Sequence, residues 1–108
     1  MVNNTGGACF ELIWVIVNFG KGSKIMRAAK KYGITGGTIL LAKGTANNSM
    51  AEFLGLSDTR KEIIMMGATK RTARSTLKAL DNKFNFDMPN HGIAFITAVS
   101  EMIGSVGC

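Results

Sequence analysis

The sequence predicts a single α+β domain with elements in the order strand, helix, strand, strand, helix, strand. Three observations carry this. Four runs of aliphatic and β-branched residues are too short for stable helices and read as strands. Two stretches between them repeat their apolar residues at helical spacing. The chain has 108 residues, 46% of them apolar, which is enough for one core and too little for two ordinary domains.

Residues 1–9 offer little to bury and are expected to be a disordered leader, followed by a domain over 10–104 and a flexible tail over 105–108. From Phe10 to Asn18, Leu12, Trp14 and Ile16 alternate with Ile13, Val15 and Val17, so this strand is apolar on both faces. After a glycine-rich turn, Ser23 is placed to cap a helix whose Ile25, Ala28, Ala29 and Tyr32 form one apolar stripe, with Gly33 as the residue that ends it. The second strand, Thr38 to Ala42, is closed by glycine at both ends. Gly36 and Gly37 precede it, Lys43, Gly44 and Thr45 follow it, and glycine there lets a ligand or another backbone come close while Lys43 supplies a cation.

The connection from Gly44 to Arg60 is long for a hairpin and is read as a recognition loop, with a helical turn over Met50 to Leu56. Glu62 to Ala68 is the third strand. Thr69 or Thr72 caps a second helix with Ala73, Leu77, Leu80 and Phe84 on its apolar face, and Pro89 is expected to end it. Ile93 to Val99 is the fourth strand. This order is the split βαβ pattern of a ferredoxin-like sandwich, a four-stranded antiparallel sheet with two helices on one face. Both faces of every strand are apolar, so the face without helices calls for a partner, and closed self-association is the economical one.

The net charge of +6 suits anionic partners. Much of it falls on the two helices, where Lys21, Lys24, Arg27, Lys30 and Lys31, and then Lys70, Arg71, Arg74 and Lys78, read as solvated faces. No apolar run reaches the roughly 20 residues that span a bilayer, and Phe10 to Phe19 lacks the flanks of a signal peptide, so a cytoplasmic location is expected. Cys9 and Cys108 lack metal-ligand spacing and are expected to be free thiols, and no metal site is expected. One histidine, His91, and few carboxylates argue against an enzyme. RNA-recognition modules share this strand order and stack bases on sheet aromatics. Here only Trp14 and Phe95 lie inside strands, and both are read as core, so nucleic acid is not the expected partner.

The segments Gly20-Lys21-Gly22-Ser23, Lys30-Lys31-Tyr32-Gly33, Gly36-Gly37-Thr38-Ile39-Leu40, Lys43-Gly44-Thr45 and Gly92-Ile93-Ala94-Phe95, in this order and spacing, resemble the nitrogen-regulatory PII family. More narrowly, they resemble its divergent PII-like members, here with a shortened T-loop. The resemblance covers about Phe10 to Gly104. It implies a homotrimer whose inter-subunit clefts bind ATP, ADP, AMP or another small anionic metabolite, with no obligatory cofactor. It also implies a signalling role in which the loop over 45–56 regulates a protein target such as a membrane transporter or an enzyme. By position, Thr38 matches a threonine beside the nucleotide, Lys43 and Gly44 the strand exit over the phosphates, with Thr45 next to them, and Asn90, His91 and Gly92 the phosphate-side turn. Asn47, Asn48, Ser49, Met50 and Phe53 fall in the partner-binding loop.

Departures from the family pattern bear on the ligand. Ile93 stands where typical members carry a lysine, and Gly104 and Val106 stand where they carry arginines. Each charge-assisted hydrogen bond missing from a phosphate weakens binding by roughly 1.5–3 kcal/mol, which leaves a structural trimer without ligand as an alternative. Asn47 and Asn48 stand where an arginine and a glutamine support 2-oxoglutarate binding. The only tyrosine is Tyr32, outside the loop, which excludes uridylylation there.

Overall fold

A computed structural model describes residues 10–45 and 59–104. The expected helical turn after Met50 lies outside the described residues, as do the leader, the tail and both cysteines. The described elements run β1 (Phe10–Asn18), α1 (Gly22–Lys30), β2 (Gly37–Lys43), β3 (Arg60–Thr69), α2 (Lys70–Phe84) and β4 (Ile93–Ala98). The sheet order is β2-β3-β1-β4 with every neighbouring pair antiparallel. That is the expected α+β sandwich, its third strand longer than its apolar run and its fourth ending one residue earlier than expected.

The period-two pattern of β1 divides the molecule. Ile13, Val15 and Val17 are buried against Ile64, Met66 and Ala68 of β3, Ile25, Ala28 and Ala29 of α1, and Ala73 and Leu80 of α2. Glu11 shares that buried face and is held there by Arg74, whose Nη1 donates to Oε1 at 2.7 Å. The intervening residues face the other way. Trp14 and Phe95 stack across β1 and β4 with ring centroids 6.4 Å apart, and the Trp14 indole N–H donates to Thr97 Oγ1 at 2.9 Å. Their expected place in the core is therefore corrected. Trp14 is one residue out of phase with Ile13 and Val15, which puts it and its partner on the face the helices leave open. Leu40, Ile93 and Phe95 on that face are 45%, 53% and 38% exposed.

One helix end has a long-range cause, and the other three are set locally. Ser23 does not cap α1: the N-cap position is Lys21, with no side-chain cap bond, and the Gly22 N–H donates instead to Glu62 Oε1 of β3 at 2.6 Å. A carboxylate at the positive end of the helix is favourable, and here it comes from 40 residues away. Gly33, at φ +105, ends α1 as expected, with Gly33 N–H to Lys30 O and Ile34 N–H to Ala29 O forming a Schellman ending. Tyr32 lies beyond the helix and is 47% exposed, not part of the apolar stripe. Thr69 caps α2, accepting from the Thr72 N–H. That helix stops at Phe84 because Asn85 turns left-handed at φ 53, before Pro89 is reached.

Candidate functional site

One end of the sheet gathers the end of β1, the start of β3, the exit of β2 and the entry of β4. Register places Ala42 opposite Lys61, and Lys61 opposite Asn18. Asn18 is the junction. Its Oδ1 accepts from Lys61 Nζ at 2.5 Å, and its amide nitrogen donates to the Asn90 backbone and side-chain oxygens, each at 3.4 Å. The base of the long connection is thereby tied to the turn before β4. Two further contacts pin that base: the Gly44 N–H donates to Thr59 O at 2.5 Å, and the Arg60 guanidinium lies 4.4 Å from the centroid of the Phe19 ring.

The turn from Asn85 to Gly92 is shaped by its backbone. Asn85 and Asn90 take positive φ, which Asn tolerates better than most residues, and Gly92 sits at φ +113. A Cβ on Gly92 would lie 2.7 Å from Ile16 O, so only glycine fits. His91 Nδ1 is 2.9 Å from the Phe84 carbonyl oxygen at the end of α2. A carbonyl can only accept, so Nδ1 carries the proton and Nε2 is the nitrogen left for a ligand.

Two hollows open here. One, of about 260 Å³, is bordered by Ile16, Asn18, Lys61, Asn90, Gly92 and Ile93 at the sheet end. The other, of about 410 Å³, lies on the helix side between the start of α1 and the end of α2, with Lys21, Lys24, Lys83 and His91 around it.

The structure separates the sequence-predicted residues into three places. Asn90, His91 and Gly92 border these hollows. Lys43, Gly44 and Thr45 lie at the same end of the sheet but on the opposite edge, beyond β3 and β1, three strand spacings or about 14 Å away. Gly36, Gly37 and Thr38 lie at the other end of β2, about 20 Å from Lys43. The glycine at 37 has a packing reason, since a Cβ there would meet Met26 Cε at 2.5 Å and Met65 O at 2.7 Å. Gly36 has open space around it. Thr38 is exposed on the uncovered face, opposite Met65. Asn47, Asn48, Ser49, Met50 and Phe53 lie outside the described residues. Of the cations available to replace the missing ones, Lys21 is at the site end, whereas Lys70 and Arg71 follow Thr69, which pairs with Phe10 at the far end.

Sequence reasoning missed Asn18 and Lys61, whose partners lie far along the chain, and Lys83, which borders the same hollow as Lys21 and Lys24 only through the fold. Lys24 was visible only as one of several helix lysines. Its three-residue offset from Lys21 was the available signal for a shared face.

With this geometry in hand, three solved structures are similar throughout. Arabidopsis thaliana PII bound to citrate matches with a TM-score of 0.67 and 18% identity, over 93% of this chain and 83% of that one. A PII-like signalling protein of Thermus thermophilus gives 0.65 and 18%, over 83% and 85%. The chain has the PII fold. The complex of B. subtilis GlnK with ATP gives 0.63 and 13%, over 84% and 82%. No family model and no curated protein matches the sequence. At this identity the PII likeness is one of architecture, and the ligand of each relative is its own. Among the described residues, no group of three or more His, Cys, Asp or Glu is placed to hold a metal ion, and no helix is long and apolar enough to cross a membrane.

Proposed function

We propose that this chain is a divergent PII-like signalling protein, a non-enzymatic cytoplasmic trimer that binds an adenine nucleotide or another small anionic metabolite between subunits. In this reading, the loop over 45–56 reports occupancy to a protein partner. One observation carries the reading: the phosphate-side turn of Asn90 to Gly92 and the strand exit of Lys43 to Thr45 lie on opposite edges of one sheet. A single subunit cannot close a site from both. Neighbouring subunits can, by setting the β2 edge of one beside the β4 edge of the next. Thr38 would join from the same β2 edge.

The uncovered face supplies the driving force. Leu40, Ile93 and Phe95 are each about half exposed, and covering the remainder of each contributes roughly 1 kcal/mol. Cyclic closure of three like edges covers all of them without leaving a free surface. The neighbours' ligands, citrate and ATP, are both small polyanions, which agrees with the positive charge here.

The stacked Trp14–Phe95 pair favours one second reading, a base-stacking platform for single-stranded RNA. Its neighbours on that face argue for the first reading. Leu12, Ile16, Leu40, Ile63 and Met65 are apolar, and Lys61 at the sheet end is already engaged by Asn18.

Native mass spectrometry of freshly purified protein tests subunit number and retained ligand together. The expected spectrum shows three chains, with added mass that disappears on denaturation or appears on incubation with ATP, ADP or AMP. A monomer at micromolar concentration would overturn the reading. A trimer that binds none of these nucleotides nor citrate would reduce the protein to a scaffold.

A further inference from the structure

We propose that the groove between the start of α1 and the end of α2 is a second anion site, complete within one subunit, that takes a small compound bearing a diphosphate. Its volume, about 410 Å³, is that of a small-molecule pocket. Val17, Ile25 and Phe84 form the apolar part of its wall, and Lys21, Lys24 and Lys83 bring three ammonium groups to it without a single carboxylate in the lining. Its position on the helix side keeps it away from the sheet face that the proposed trimer covers.

A merely solvated helix face is a weak explanation of these lysines. Lys83, in the last turn of α2, suits the negative end of that helix and also lies over the Phe84 ring. Lys21 and Lys24 do the opposite. They stand at the N-cap and in the first turn of α1, the positive end, where no acidic residue of the helix accompanies them. Neither has an ion-pair partner among the described residues. Glu62 answers the backbone there by accepting from the Gly22 N–H, and it does not line the groove. Among the described residues the two ammonium groups thus have no anionic side chain beside them in the groove, and a bound anion supplies that partner. Three positive charges around one groove match a diphosphate, which carries two or three negative charges at neutral pH. The Asn85 and Asn90 side-chain N–H groups stand at the rim to donate to the remaining phosphate oxygens.

The test is titration of the full-length protein with sodium pyrophosphate in about 50 mM salt, where screening is modest, followed by amide NMR and calorimetry. Saturable shifts are expected at Lys21, Lys24, Asn85 and His91. The double substitution Lys24→Gln with Lys83→Gln is expected to weaken binding roughly tenfold or more, without lowering the melting temperature. Lys70→Gln, at the far end of the sheet, is expected to leave pyrophosphate affinity unchanged. If Lys43→Gln weakens binding and the double substitution does not, pyrophosphate occupies the cleft between subunits and the groove assignment fails while the cleft stands. Absence of saturation also overturns the groove, whatever nucleotides do at the cleft.

Discussion

The two faces of this sheet are built from the same kinds of residue and end in different environments. On one, Ile13, Val15, Ile64 and Met66 are fully buried beneath two helices. On the other, Leu40, Ile93 and Phe95 remain about half exposed, although nothing in their composition sets them apart. Apolar alternation therefore says that a face wants to be covered, and the helix count says which face is covered from within the chain. The remaining face is where the proposed assembly, and through it the proposed cleft, would have its driving force.

The largest expected effect tests the open face. Phe95→Asp places a charge beside Trp14, and light scattering at micromolar concentration is expected to show the proposed trimer replaced by monomers with helical circular dichroism retained. Unchanged assembly would mean that this face is not the interface. On the covered face, Ile64→Ala removes a fully buried side chain and is expected to cost about 2–5 kcal/mol in urea unfolding, because packed neighbours collapse only partly into the cavity. Phe95→Ala in a monomeric background is expected to cost far less.

Gly37→Ala sharpens the contrast within β2. Its Cβ would press on Met26 and on a backbone oxygen of β3, so a loss of about 1–3 kcal/mol is expected, whereas Gly36→Ala next to it is expected to be close to neutral. Urea midpoints of the two variants check this, and equal midpoints would refute the packing role. The smallest effect belongs to the helix cap. Thr69→Ala removes the acceptor for the Thr72 N–H and is expected to lower stability by about 1 kcal/mol, read from the same urea midpoints. Ser23→Ala is expected to change little, because Ser23 caps nothing.

Local signals explain what was legible. The strand β1, the Schellman ending at Gly33 and the Thr69 cap all depend on residues within a few positions of each other; the cap was narrowed to Thr69 or Thr72, and the other two were readable at their place. The α1 start was not, since its partner Glu62 lies on another strand. Nor was the end of α2, where Asn85 adopts a left-handed backbone that Asn permits and does not require. Of the candidate site, the Asn90 to Gly92 turn was legible as a glycine-terminated loop. Its tie through Asn18 to Lys61 was hidden, because antiparallel pairing joins residues 43 positions apart.

By itself the sequence determined the element order, because hydrophobic period is a local property of the chain, and with it the conclusion that a two-helix sandwich leaves one apolar face uncovered. Only the tertiary structure decided that Trp14 and Phe95 stand on that face, since a single residue of phase separates core from surface in a strand. It also decided that the two halves of the candidate cleft lie on opposite edges, and that Lys21, Lys24 and Lys83 meet around one groove. Strand order and helix placement bring distant charges together, and no spacing along the chain encodes those distances.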